Sequence, residues 1–431
     1  MADLTIIPAG RGTRHTGSWV TDQRPKQFRE GFMFLDPNGD TPLTALMGLM
    51  KTEKPTDPEF SHFTKYLPYQ AGAITGVFND EALSSAYAAG VNAVGKLLYI
   101  KCASDTAKEF RPGYTALLRD ESLAMNDTPT TVLQVVENGA SSFIKVRTLV
   151  ATTAASATAL ARDPATADRI VANGQANAQG GSVPDVINYN PNKYTNYCQI
   201  FWTPYSITNT MKETRLRTGD ALAEEKREKF KMHGVMMEKA FLWGQKASET
   251  VDGKEKLYTQ GIVEMVREHV PANEVNYITD AAYAGQEWEI GGYDWLCNHM
   301  EIASRYGKLD RLAFCGSKAM LGIRRLAEVN REVQITQNTA ELGFAVETLR
   351  LGPLKLHLKQ HGLMTHESTY RSDMIIFDTA AFKEMALRST HKTVDTLPGT
   401  DGQVEGWRTE TGMSFTTPAS SYVLHGVGED S

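Results

Sequence analysis

The chain has 431 residues, of which 41% are hydrophobic and 22% charged, and it carries a net charge of −6. That is the balance of an ordinary globular protein, long enough for two or three domains. No apolar run approaches the roughly 18 residues that span a bilayer, and a net negative chain argues against a dedicated nucleic-acid binder.

The charge is uneven. Residues 1–29 hold Arg11, Arg14, Arg24, Lys26 and Arg29 against Asp3 and Asp22, a net of +3 that leaves −9 for the remainder. Such a basic arm on an acidic body suits contact with a polyanion or an acidic neighbouring subunit. MADLTIIPAGRGTR has no basic-then-apolar secretory pattern, and Cys102, Cys198, Cys297 and Cys315 form no CxxC pair. Buried thiols in a reducing compartment are the expectation.

Residues 1–40 read as an extended arm ending in the turn DPNGD, and PLTALMGLMK then predicts a short helix that Thr41 caps and Pro42 begins. EKPTDPEFSHFTKYLP has three prolines in 16 residues and must be extended or turning. KLLYIKCAS, GYTALLRD, TTVLQVVEN and SSFIKVRTLV, between residues 96 and 150, are short strands with turns at Pro112-Gly113 and Asn138-Gly139. ATTAASATALA (151–161) has too little bulk to pack well and reads as a linker or loosely held strand.

A tyrosine-rich extended segment, NYNPNKYTNYCQIFWTPYSITNT, leads into a long helix over about 220–243. Thr218 or Asp220 caps its start, acidic residues occupy its first turn, Glu225 and Lys229 pair four residues apart, and Gly244 ends it. YDWLCNHMEIASRYG (293–307), RLAFCGS and KAMLGIRRLAEVN predict a helix, a strand and a helix. TLRLGPLKLHLKQHGLM (348–364) alternates as a half-buried strand pair, and SDMIIFDTAAFKEMALRST adds a buried strand.

Candidate chemistry is thin. His357, His361 and His366 invite a metal reading, but on a strand the first two share a face about 13 Å apart, and Gly362 breaks any helix. Cys315 in FCGSK, near Ser317 and Lys318, is a candidate nucleophile at a strand-to-helix turn, yet it reads more simply as a core thiol. There is no G-x-S-x-G or G-x4-G-K-[ST] pattern, and GRGTRH at 10–15 lacks the third glycine and a preceding strand. The aromatics Tyr189, Tyr194, Tyr197, Phe201, Trp202 and Tyr205 have only Lys193 among them, so packing is a better reading than base stacking. The expectation is no catalytic residue, no metal and no cofactor.

Four stretches, in order, resemble the major capsid proteins of tailed bacteriophages, in the podovirus-type branch without a cleaved N-terminal scaffolding domain. They are PLTALMGLMK with PEFSHFTKYLP; DRIVANGQANAQGGSVPD with NYCQIF and YSITNT; the helix 220–244 with GIVEMV; and LRLGPLKLHLKQHGLM with MIIFDTAAFKEMALRSTHKTVDTLPGTDGQVEGWRTETGMSF. The likeness covers roughly two thirds of the chain, and 151–167 and 273–292 look like variable inserts.

The resemblance implies an α+β fold shared with encapsulins and the herpesvirus capsid floor. It implies an N-terminal arm (1–70), an extension-loop β-hairpin region (71–165) and a peripheral domain with a spine helix at 220–243 (166–256). An axial domain (257–347) follows, then return strands of the peripheral domain with a C-terminal tail (348–431). It further implies a non-enzymatic shell protein of the virion, assembled in the bacterial cytoplasm as hexamers and pentamers. Its expected partners are a portal, scaffolding or decoration proteins and packaged double-stranded DNA, with no membrane. Arg11, Arg14, Arg24, Lys26 and Arg29 become the assembly or DNA-facing arm. An encapsulin-like compartment shell is the competing reading, followed by an enzyme using Cys315 or the His357/His361/His366 set.

Overall fold

The computed structural model describes residues 51–156, 160–177, 179, 185–214, 220–329, 335–338, 346–395, 399 and 401–430. Arg11, Arg14, Arg24, Lys26, Arg29 and the helix expected after Thr41 lie outside them. The proline-rich run is extended, with strands β1 (Thr52–Glu53) and β2 (Glu59–Thr64) on either side of Pro55 and Pro58.

Residues 65–192 make one compact unit. Its strands are β3 (Ala71–Phe78), β4 (Leu97–Cys102), β5 (Tyr114–Arg119), β6 (Thr128–Val136), β7 (Phe143–Thr148) and β8 (Arg169–Gln175). They close into a barrel in the order β3–β4–β7–β6–β5–β8, every pair antiparallel. Alternation fills it: Leu98, Ile100, Leu118, Ile144, Val146 and Ile170 are buried in one core, with Phe110 beyond the short helix α1 (Ser104–Lys108).

Gly113 (φ +90°) and Gly139 (φ +52°) supply the left-handed backbone at the two expected turns. The second is a 3₁₀ turn over Gly139–Ser141, longer than the two-residue hairpin that Asn-Gly suggests. The region expected to be a hairpin over 71–165 is therefore a closed barrel. Beyond that boundary, β8 pairs with β3 (Ala71 with Val171) and with β5 (Leu118 with Ile170), which removes both free edges. Among the described residues of 151–162, Thr153 and Arg162 form an isolated pairing.

The described residues 51–64 and 193–430 form the second unit. In chain order it has β9 (Asn192–Tyr197), β10 (Gln199–Thr208), α2 (Asn209–Glu213), α3 (Ala221–Trp243), the hairpin β11 (Ala247–Val251) and β12 (Lys254–Tyr258), α4 (Ile262–His269) and β13 (Glu274–Asn276). There follow α5 (Trp288–Ala303), β14 (Asp310–Cys315), α6 (Ser317–Val329), β15 (Ile335–Asn338), β16 (Val346–Leu351), β17 (Leu354–Gln360) and α7 (Gly362–His366). The last strands are β18 (Met374–Phe377), β19 (Phe382–Val394), β20 (Gly402–Phe415) and β21 (Tyr422–His425).

The helix α3 is the one the sequence predicts. The Asp220 carboxylate accepts from the backbone N–H of Leu222 and Ala223, and Lys229 lies 3.4 Å from Glu225. At ~1.5 Å per residue its 23 residues extend about 34 Å. Helix α5 starts at Trp288, five residues before the predicted Tyr293.

Two sheets organise this unit. A long four-stranded sheet has the order β1–β19–β20–β10, and a seven-stranded sheet the order β13–β21–β18–β14–β17–β16–β15. The larger sheet takes β17, β18 and β21 from the segment after 348, so the boundary expected at 347 runs through it. One face packs Ala313, Cys315, Leu356 and Leu358 against α5 and α6; the other packs Leu312, Phe314 and Ile375 against α4 and the end of α3. Glycine in mid-helix costs about 1 kcal/mol relative to alanine. At Gly322 it is needed, because a Cβ would stand 2.3 Å from the Gly428 Cα.

Candidate functional site

Buried polar contacts hold α3 against the long sheet. Along β10 the residues alternate, so Phe201, Thr203 and Tyr205 turn inward and Ile200, Trp202 and Pro204 outward. His233, in the middle of α3, lies with Nδ1 3.0 Å from Thr203 Oγ1 and Nε2 2.8 Å from Thr409 Oγ1 on β20. Burial lowers its pKa, so the ring is neutral and donates from one nitrogen while accepting at the other. Phe201 meets His233 and Phe241 edge-on.

About two turns nearer the start of α3, where Lys226 lies, Glu405 of β20 is almost wholly enclosed. Tyr205 donates its hydroxyl to it at 2.6 Å, Lys392 approaches to 2.6 Å and Lys226 to 3.6 Å; the Gln403 amide also donates. Burial alone would raise its pKa, but Lys392, Tyr205 and Lys226 outweigh that and hold it at about 2. Burial, and after it the same contact with Glu405, pushes the Tyr205 hydroxyl well above its ordinary value.

The sign for stability follows. The unfolded carboxyl takes up its proton near 4.5, so the Glu405 contribution is complete above that pH and is lost as pH falls through about 2. Thermal melts between pH 2 and 7 should therefore show a smaller loss of Tm on acidification for Glu405→Gln than for the wild type. Identical pH slopes would count against this role.

At the far end of α3, Glu238 Oε1 lies 2.6 Å from His361 Nε2, and neither side chain has any exposure. The pair ties the helix to the entry of α7. On the outer face of the long sheet, Ile200 and Trp202 are half exposed, the Arg408 guanidinium stands 4.3 Å above the Trp202 ring, and Arg388 pairs with Glu410 at 2.5 Å. The aromatic segment thus divides: Tyr194, Phe201 and Tyr205 pack inside, and Trp202 is covered by an arginine.

The candidate catalytic groups do not converge. Cys315 ends β14 with no exposure, and burial pushes its thiol far above the ordinary range. Lys318 points away to Glu429 at 2.7 Å. His357 is buried on β17, His361 is taken by Glu238 and His366 is exposed at the end of α7. Among the described residues no group of three or more His, Cys, Asp or Glu is placed to hold a metal ion. A crevice lined by His62, Tyr194, Asn196 and His269 is walled by ring packing, Tyr194 lying 5.4 Å from His62 and 4.8 Å from His269. The Asn196 amide there donates to the carbonyls of Gln260 and Met413. This is structural chemistry: it joins helices and strands to one another.

Comparison with known proteins gives the context. The family described as SU10 major capsid protein matches residues 12–428. The chain belongs to this family. It is accordingly a structural protein of a phage capsid, of mixed α+β fold, with its place in the virion shell. A curated relative, the major capsid protein of Pseudomonas phage PaMx41, is 24% identical over 229 residues. That match spans 50% of this capsid protein and 51% of the relative, about half the length of each.

Among solved structures, Microbacterium phage Oxtober96 is similar with a TM-score of 0.43 at 9% identity, covering 93% of this chain and 96% of that one. Mycobacterium phage Cain gives 0.43 at 8% identity, covering 94% and 93%. The SrpI encapsulin complex of Synechococcus elongatus gives 0.38 at 10% identity, covering 57% and 78%. The family match over nearly the whole chain, rather than these distant likenesses, places the capsid protein.

Proposed function

We propose that this protein assembles through hexamers and pentamers of itself into the icosahedral shell that encloses the double-stranded DNA genome of a tailed phage, and that it catalyses no reaction. The family match over residues 12–428 carries this reading. The molecule supports it physically: the buried polar groups described above join helices and strands of the fold rather than converging on a reactive centre.

Within this reading 1–70 is the N-terminal arm, the barrel of β3 to β8 (71–175) occupies the place of the extension loop, and the seven-stranded sheet with its helices forms the axial region. Arg11, Arg14, Arg24, Lys26 and Arg29 face packaged DNA or acidic patches of adjacent subunits. A portal, and scaffolding or decoration proteins, complete the particle. Expression of the full chain followed by sedimentation and electron microscopy should give megadalton rings or shells. A small oligomer under every assembly condition would overturn the proposal. Neutralising Arg11, Arg14 and Arg24 together should reduce particle yield or DNA content, and unchanged values of both would remove the arm from the assembly.

A further inference from the structure

The segment between Arg267 and Arg305 contains no lysine or arginine but seven carboxylates. Three of these, Glu289, Asp294 and Glu301, lie on α5 and are exposed. Ile290, Asp294 and Glu301 repeat at helical spacing along one face, and Ile290 is 72% exposed. Helix α6, packed beside α5 over the same core, has the opposite character. Its exposed face carries Lys318, Leu321, Arg324, Arg325 and Val329, with Glu328 as its one acid; Leu321 is 50% and Val329 56% exposed.

Some of these charges are already satisfied. Lys318 pairs with Glu429, Arg324 with Glu347, and Arg305 with Glu301. Asp294 and Arg325 have no ion-pair partner among the described residues. Each face also offers an exposed aliphatic beside its charge. A side chain such as Ile290 left in water forgoes about 25 cal/mol for each Å² that a partner would cover.

We infer that the acidic, isoleucine-bearing face of α5 on one subunit docks on the basic, leucine- and valine-bearing face of α6 on the next copy of this chain. The occupant follows from complementarity. A ring built head to tail needs two different faces on each subunit that fit each other, and one helix pair presents both. Opposite charge also selects against the wrong pairings, α5 on α5 and α6 on α6. The inference rests on the shell reading and names the contact that would close its capsomers.

Charge reversal tests it. In the full-length chain Asp294→Lys and Arg325→Glu should each lower the assembled fraction about tenfold, because a like charge then faces the partner. The combined variant, in which every copy carries both reversals, should restore assembly, because the pair is re-formed between subunits. Circular dichroism and thermal melts of the unassembled subunits should match the wild type, since both positions are exposed. Rings or shells formed equally well by the single variants, or no restoration in the combined variant, would overturn the interface while leaving the shell reading intact. A wild-type chain that never assembles would overturn both.

Discussion

Glu238→Ala is expected to cost this capsid protein about 3–5 kcal/mol, because a buried side chain is truncated and its hydrogen-bonding partner is left unpaired. Glu238 and His361 have no exposure and meet at 2.6 Å, so truncation takes the carboxylate away from a buried imidazole nitrogen. Folded domains are stable by only about 5–15 kcal/mol, which makes the change a large fraction of the total. Glu238→Gln keeps the shape and one hydrogen bond, and its cost should fall to about 1–3 kcal/mol. Replacing both partners by apolar residues, Glu238→Leu with His361→Phe, should recover much of the loss, because no unpaired polar group is left in the core. Urea unfolding of the unassembled subunit measures all three. A Glu238→Ala cost under about 1 kcal/mol would mean that water or a rearranged neighbour replaces the carboxylate.

The same pair shows where sequence reading ends. Helix α3 is legible because its signals are local: the Asp220 cap, the Glu225–Lys229 pair and the stop at Gly244 lie within 25 residues of one another. The strands β4 to β7 are legible because alternation is local too. Nothing local marks Glu238 as buried, since a glutamate late in a charged helix reads as solvated and its histidine lies 123 residues away. In the sequence His361 stands in a histidine trio, with no sign of a glutamate partner.

Barrel closure is hidden for a similar reason. The pairing of Ala71 with Val171 joins two strands of small and mixed residues a hundred positions apart. Only the folded chain reveals that β8 lies beside β3. The long sheet behaves likewise: Glu405 looks like one more exposed acid of a polar strand until Tyr205 and Lys392 are brought onto it. The basic arm of residues 1–29 is legible only as charge, because it has no apolar periodicity to mark an element.

Trp295→Ala should be about as damaging as the loss of Glu238, at about 3–5 kcal/mol for an emptied aromatic site. Trp295 has no exposure and sits where three elements meet. Its ring packs edge-on against Tyr277 at 5.5 Å, Trp288 at 6.1 Å and His299 at 4.8 Å, while its indole N–H donates to Asp280 at 3.0 Å. Truncation removes the transfer energy of the ring, leaves a void that aromatic neighbours close poorly, and deprives Asp280 of its donor. Trp295→Phe retains most of the volume and should cost about 1–3 kcal/mol, chiefly through the lost hydrogen bond.

The consequence for assembly separates packing from charge. Asp294 and Trp295 are adjacent on α5 but lie on different faces, one exposed and one in the core. A core defect should lower the unfolding midpoint and the assembled fraction together, whereas a charge reversal at Asp294 should lower assembly with the midpoint unchanged. The barrel core of Leu98, Ile100 and Ile144 shares no residue with that of Trp295. Hydrogen exchange should therefore lose protection in α5 and α6 of Trp295→Ala while the amides of β4 and β7 keep theirs. Equal loss of protection in both units would show that they unfold as one.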